Sequence, residues 1–135
     1  MFGRLTKLPR LVLEHNRLRK LPSSMAAMSR LEHLGLSYNR FVQLPSWLET
    51  MATLQSLTVT NNRIRHIPDH ITNMHRLRHL SLGNNFIHEL PETIANMTNL
   101  RSLWLDWNEI KQVPVTVRFM TRVRCRHAAN PHPRH

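Results

Sequence analysis

Asparagine recurs along this chain at a fixed step of 23, at Asn16, Asn39, Asn62, Asn85 and Asn108. Prolines keep the same step at Pro22, Pro45, Pro68, Pro91 and Pro114, and so do methionines at Met28, Met51, Met74, Met97 and Met120. A unit this short buries too little apolar surface to fold alone, so successive units must stack and share one core. The period therefore dictates a linear array before any local structure is read.

Written from its first leucine, each unit reads L-x-x-L-x-[LV]-x-x-N-x-[LIF]-x-x-[LIV]-P-x-x-[MLIV]-x-x-M-x-x. The units are 8–30, 31–53, 54–76, 77–99 and 100–122, and every apolar slot in all five is filled. In L-x-x-L-x-L the fourth and sixth positions lie two apart and point the same way from an extended chain, which predicts one strand per unit. Strands separated by a long return leg must run parallel, so five of them at about 4.8 Å spacing predict a sheet roughly 20 to 25 Å long. Each asparagine closes a strand, where its amide can satisfy backbone groups of its own and the adjacent turn. The prolines mark the return legs, because a proline cannot sit inside a central strand. On those legs the segments 23–28, 46–51, 69–74, 92–97 and 115–120 carry apolar residues three apart, which predicts short helical turns with the methionines as core filler.

This pattern resembles the leucine-rich repeat. The Leu/Ile-Pro step, with an apolar residue three places on, resembles the 23-residue type of Ras-group intracellular scaffolds. The resemblance covers residues 8 to about 122. It implies an α/β horseshoe solenoid with a parallel concave sheet and short helical turns on the convex side. It also implies a signalling scaffold that binds proteins without catalysis, with small GTPases or phosphatase subunits as partner classes.

The ends of the array are less regular. Phe2 and Leu5 lie one full period before Met25 and Met28, so 1–7 reads as part of a further repeat. At the other end Val123 starts a sixth unit, but Arg126 and Ala128 fall where leucines belong. The segment 123–135 is therefore expected to be a basic, proline-broken, disordered tail. Neither end carries a polar capping unit. Three readings stay open: a fragment of a longer multidomain protein, ends covered by a partner, or self-association through the uncapped ends.

Charge bears on partners and not on fold. With 19 Lys+Arg against 8 Asp+Glu the formal charge is +11, which favours acidic partners or polyanions. The single cysteine, Cys125, cannot form an internal disulfide, and the opening residues lack a secretory apolar core, so a cytoplasmic location is expected. No run approaches the roughly 18 apolar residues of a membrane span.

Binding specificity should be written in the outward strand slots. Arg17, Arg40 and Arg63 share one slot and form a column, flanked two residues later by Arg19, Arg65 and Lys111. Such a column fits an acidic protein surface or a phosphate, and it is also tolerable as plain solvated surface, since neighbouring charges in water repel by only about 1 kcal/mol. In the fifth repeat Trp104 and Trp107 fall in outward slots beside Asp106 and Glu109, with Phe86 one repeat earlier and Tyr38 in the second repeat. Exposed aromatics are enriched at binding hot spots, although the two indoles could instead pack beneath the tail. Trp47 lies on a return leg and reads as local packing.

Other chemistry is poorly supported. His66/His70 is interrupted by Pro68, His75/His79 straddles a loop and a strand, and Cys125 with His127 is too loosely spaced for zinc, so no metal site is expected. Asn96-Met97-Thr98 matches a glycosylation sequon that carries no meaning in the cytoplasm. Ser37, Ser81 and Ser102 lie in separate repeats without a matched histidine and carboxylate, and three glycines do not make a phosphate loop, so neither an enzyme nor a cofactor is expected. The favoured reading is a scaffold that binds a protein on its concave face. The alternative is RNA bound by the basic surface with Trp104 and Trp107 stacking on bases, a reading weakened by Asp106 and Glu109 where phosphate would approach.

Overall fold

The computed structural model describes residues 6–119 and 124–126. Six three-residue strands, β1 (Arg10–Val12), β2 (His33–Gly35), β3 (Ser56–Thr58), β4 (His79–Ser81), β5 (Ser102–Trp104) and β6 (Arg124–Arg126), form one sheet in chain order. All neighbouring pairs are parallel. Leu11, Leu34, Leu57, Leu80 and Leu103 are aligned across the sheet, so the central leucine of each strand meets its counterpart one repeat away. Leu34, Leu57, Leu80 and Leu103 are fully buried, as are Leu36, Val59, Leu82 and Leu105 two residues on. At about 1.5–3 kcal/mol for each buried side chain, this inward row is the main source of stability.

The return legs are five-residue 3-10 helices at Ser23–Ala27, Ser46–Thr50, Asp69–Asn73, Glu92–Asn96 and Val115–Phe119. A 3-10 helix has three residues per turn, so apolar residues three apart lie on one face. Met25, Leu48, Ile71 and Ile94 accordingly point into the core. Pro22, Pro45, Pro68 and Pro91 precede the first four of these turns, with φ between −64° and −72°, the range their rings impose. Trp47 packs against the core from its return leg, as its position suggested. Among the described residues no helix is long and apolar enough to cross a membrane.

The asparagines tie adjacent turns together. Asn62 donates to Leu36 O at 3.0 Å and Val59 O at 3.1 Å, while its Oδ1 accepts from Phe41 N–H at 3.0 Å. Asn39, Asn85 and Asn108 repeat this arrangement, and all four are buried. Asn16, in the first repeat, is exposed and donates only to Leu13 O and Glu14 O of its own turn. Ahead of each asparagine stands a residue in the left-handed region: His15, Tyr38, Asn61, Asn84 and Trp107, with φ between 52° and 60°. The N–H groups of the first four donate to the next repeat, as in Tyr38 N–H to Thr60 O at 2.9 Å. This position turns the chain at the end of the strand so that the asparagine side chain enters the core.

The structure departs from the expectation at 124–126. These residues were expected in a disordered tail, yet they form β6. Ser102 pairs with Arg124 and Leu103 with Cys125, so the last step along the sheet is 22 instead of 23. A count of 23 from Leu103 lands on Arg126, which is why the array reads as stopping there. Strand pairing needs only backbone donors and acceptors, and a step of 22 places Cys125 in the leucine register. The rest of the expected tail, 127–135, and most of the expected partial repeat, 1–5, lie outside the described residues.

Candidate partner-binding face

The outward residues of each repeat are held in columns by the parallel register. Arg17, Arg40, Arg63, Phe86 and Glu109 occupy one column, fixed by bonds from Arg40 N–H to Leu18 O, Arg63 N–H to Phe41 O, Phe86 N–H to Ile64 O and Glu109 N–H to Ile87 O. Arg17 and Arg63 are exposed and Arg40 is half-buried. No carboxylate among the described residues lies within ion-pair distance of these three guanidiniums. The column changes character at Phe86 and becomes acidic at Glu109, whose carboxylate lies 3.1 Å from His88 Nδ1. Arg19, Arg65 and Lys111, in the slot two residues later, are all exposed.

A second column runs through the left-handed positions. Tyr38 is 50% exposed and Trp107 47%, and between them lie Asn61 and Asn84, whose side-chain amides hydrogen-bond to each other. His15 stacks on Tyr38 with ring centroids 4.3 Å apart and 11° between the planes. From sequence, His15 falls in an outward slot with no role assigned to it. The signal was present, since two aromatic rings one repeat apart in the same slot must face each other across the sheet. Trp104, 43% exposed, ends β5, and half-buried Asp106 lies between it and Trp107 in the chain.

The nine predicted residues thus fall into two groups. Arg17, Tyr38, Arg40 and Arg63 belong to the first three repeats. Phe86, Trp104, Asp106, Trp107 and Glu109 belong to the last two. Tyr38 and Trp107 stand three repeats apart, roughly 14 Å at the spacing of parallel strands.

Not every outward slot is free of structural duty. Ser37 is 7% exposed, and its Oγ accepts from Thr60 N–H at 3.2 Å. Gly35 and Gly83 are buried. The lack of a side chain at Gly35 leaves a shallow hollow of about 160 Å³ floored by the strand backbone and flanked by Arg10, Glu14, His33 and Ser56. The five left-handed residues carry a backbone constraint that their side chains do not announce.

Among the described residues no group of three or more His, Cys, Asp or Glu could hold a metal ion. His79 Nδ1 lies 2.6 Å from Ser102 Oγ on the sheet surface. His70 sits on a return leg with its Nε2 buried and unpartnered.

Comparison with known proteins gives the geometry a family. Models of the leucine-rich repeat match residues 30–51 and 52–110. A leucine-rich-repeat protein of Leptospira interrogans superposes with a TM-score of 0.83 at 29% identity, over 92% of this chain and 32% of its own. Internalin C2 of Listeria monocytogenes gives 0.83 at 22% identity, over 94% of this chain and 54% of its own. An internalin F of the same organism gives 0.74 at 19%, over 97% and 44%. The chain therefore spans about a third to a half of the length of these proteins. No curated protein sequence matches it. The repeat, the parallel sheet and these matches agree: the chain belongs to the leucine-rich repeat family, whose fold commonly serves protein–protein interaction and is generally non-catalytic.

Proposed function

We propose that this chain is a non-catalytic scaffold that binds a protein partner on its concave face. The observation that carries the reading is the exposure of Tyr38, Trp104 and Trp107 on that face. Large aromatics held half in water cost solubility and are enriched at protein–protein hot spots. Tyr38 and Trp107 also occupy left-handed backbone positions, which cost about 1–2 kcal/mol for a residue other than glycine and are better suited to asparagine. Strained backbone under an exposed aromatic favours a binding role for that side chain.

Charge along the sheet supports an orientation. Arg17, Arg40 and Arg63 would meet an acidic patch on the partner, while Asp106 and Glu109 beside the tryptophans would meet a neutral or basic one. This segregation disfavours RNA as the main ligand, because phosphates would approach the indoles past two carboxylates. Within this reading, the Ras-group resemblance makes a small GTPase or a phosphatase subunit the first partner class to try.

The test is affinity capture from nuclease-treated lysate, comparing the native chain with Trp104→Ala/Trp107→Ala. Defined proteins that survive nuclease treatment and vanish with the double variant support the scaffold. Capture of the same proteins undiminished by the variant, or material lost to nuclease, overturns it.

A further inference from the structure

At the edge where the chain enters the strands, away from the arginine column at their exit, Gln55, Arg76, Arg78 and Asn99 line a depression of about 180 Å³. We propose that this notch is a binding site for a phosphate monoester dianion.

The sequence alone makes these residues ordinary loop positions, but the register brings them together. Arg76 and Asn99 occupy one slot, just before the first leucine of successive repeats. Gln55 and Arg78 occupy the slot just after it. The frame beneath is fixed by hydrogen bonds from Arg78 N–H to Gln55 O at 2.8 Å and from Asn99 Nδ2 to His75 O. That second bond orients the Asn99 amide and leaves its other N–H for a ligand.

The lining is rich in donors and contains no carboxylate. Arg76 and Arg78 are exposed and have no ion-pair partner among the described residues, and the Gln55 side chain has no hydrogen-bond partner among them. Glu32 shares the slot of Gln55 and Arg78 but lies two repeats from Arg78, roughly 10 Å at the strand spacing. Two unpaired guanidiniums match the two negative charges of a phosphate monoester at neutral pH, and each presents a planar fork suited to a pair of its oxygens. Two carboxamides supply further N–H donors at the sides. A volume of about 180 Å³ admits one tetrahedral oxyanion with some of its water. A phosphodiester chain would instead call for cations spaced along a track.

The test is a ¹H–¹⁵N NMR titration of the full chain with inorganic phosphate at pH 7.5 and constant ionic strength. It follows the side-chain amides of Gln55 and Asn99 and the Nε–H groups of Arg76 and Arg78. Saturating shifts confined to these four residues are expected. Arg76→Gln or Arg78→Gln should each weaken binding about 10-fold, the loss of one charge-assisted contact. The double variant should abolish saturation with its backbone spectrum otherwise unchanged, while Arg17→Gln/Arg40→Gln should titrate like the native chain. Unsaturating shifts spread equally over Arg17, Arg40 and Arg63, or an unaltered titration of the Arg76→Gln/Arg78→Gln variant, overturns the site. A second arm compares O-phosphoserine and oligouridylate. Tighter binding of O-phosphoserine than of inorganic phosphate supports a phosphorylated side chain as the ligand, and equal or weaker binding overturns the monoester in favour of free phosphate. Oligouridylate engaging the same groups more tightly than either overturns the monoester assignment.

Discussion

Replacing Asn62 by alanine isolates what the asparagine ladder contributes, because the structure shows which groups would lose a partner. The Asn62 amide donates to Leu36 O, Val59 O and Thr60 O, and its Oδ1 accepts from Phe41 N–H. All three carbonyls have a second donor: Leu36 O receives Asn39 Nδ2, Val59 O receives Asn85 Nδ2, and Thr60 O receives Tyr38 N–H. Only the Phe41 N–H would be stranded, buried and unpaired. The expected cost is therefore that of one orphaned backbone donor, about 1–3 kcal/mol, and not the sum of four hydrogen bonds. With a urea slope of about 1–3 kcal/mol/M for a domain of this size, the unfolding midpoint should fall by about 1 M. Asn16→Ala is the internal control. It removes only exposed bonds within its own turn and should cost no more than about 0.5 kcal/mol. Equal midpoint shifts for the two variants would refute the ladder argument.

Asn62→Asp sharpens the same test. The carboxylate can still accept from Phe41 N–H, but it sets a buried negative charge against carbonyl oxygens 3.0–3.3 Å away. Burial and those dipoles raise its folded-state pKa above the unfolded value of about 3.9. The folded variant then takes up a proton at a pH where the unfolded chain does not. Its deficit relative to the native chain is full at neutral pH and shrinks as pH falls through the raised folded value. Urea midpoints of both chains, compared from pH 7 to pH 4, should converge, and a deficit independent of pH would show that the charge is not what destabilises.

Two further predictions separate fold from function. Tyr38→Asn relieves about 1 kcal/mol of left-handed strain and loses an exposed ring stack with His15 worth about as much, so thermal stability should stay within about 0.5 kcal/mol of the native chain while partner capture falls. A loss above about 1.5 kcal/mol would mean that the stack serves the fold. Gly83→Ala should stabilise the chain by about 0.4–1 kcal/mol in urea unfolding, because Gly83 has no positive φ and an added Cβ would meet Asp106 O at 3.4 Å and Thr60 Cγ2 at 3.6 Å, both ordinary contacts. Destabilisation would show that the sheet surface at this point cannot yield even slightly.

Much of the fold was legible because the residues that build it are the ones that repeat. Leucines, asparagines and prolines hold their step of 23, and the structure gives each the role its chemistry suggested. The left-handed position was not legible, because its occupants, His15, Tyr38, Asn61, Asn84 and Trp107, share a backbone conformation and no side-chain type. The role of Ser37 is not legible, because nothing local reveals that its hydroxyl reaches Thr60 N–H across the sheet. The sixth strand is not legible, because a constant step of 23 from Leu103 falls on Arg126 whereas the register pairs Leu103 with Cys125. The notch at Arg76 and Arg78 was missed because its residues flank a leucine, in slots assigned to no face.

The same physics explains why the candidate face is legible only in part. Where a column is uniform, as for Asn39, Asn62, Asn85 and Asn108, stacking demands the same hydrogen bond in every repeat, and the residue is a property of the fold. Where a column changes, as from Arg17, Arg40 and Arg63 to Phe86 and Glu109, the backbone bonds continue unbroken through the change. The fold is therefore indifferent to which side chain stands there, and the slot is open to a requirement outside the fold. Left-handed residues fall between these cases, because the backbone prefers asparagine and holds it only at Asn61 and Asn84. The ends of that column, His15 with Tyr38 and then Trp107, give up backbone preference for aromatic surface. On the proposed function, a partner that spans the sheet and rests on both ends would account for aromatics at the ends and amides between them.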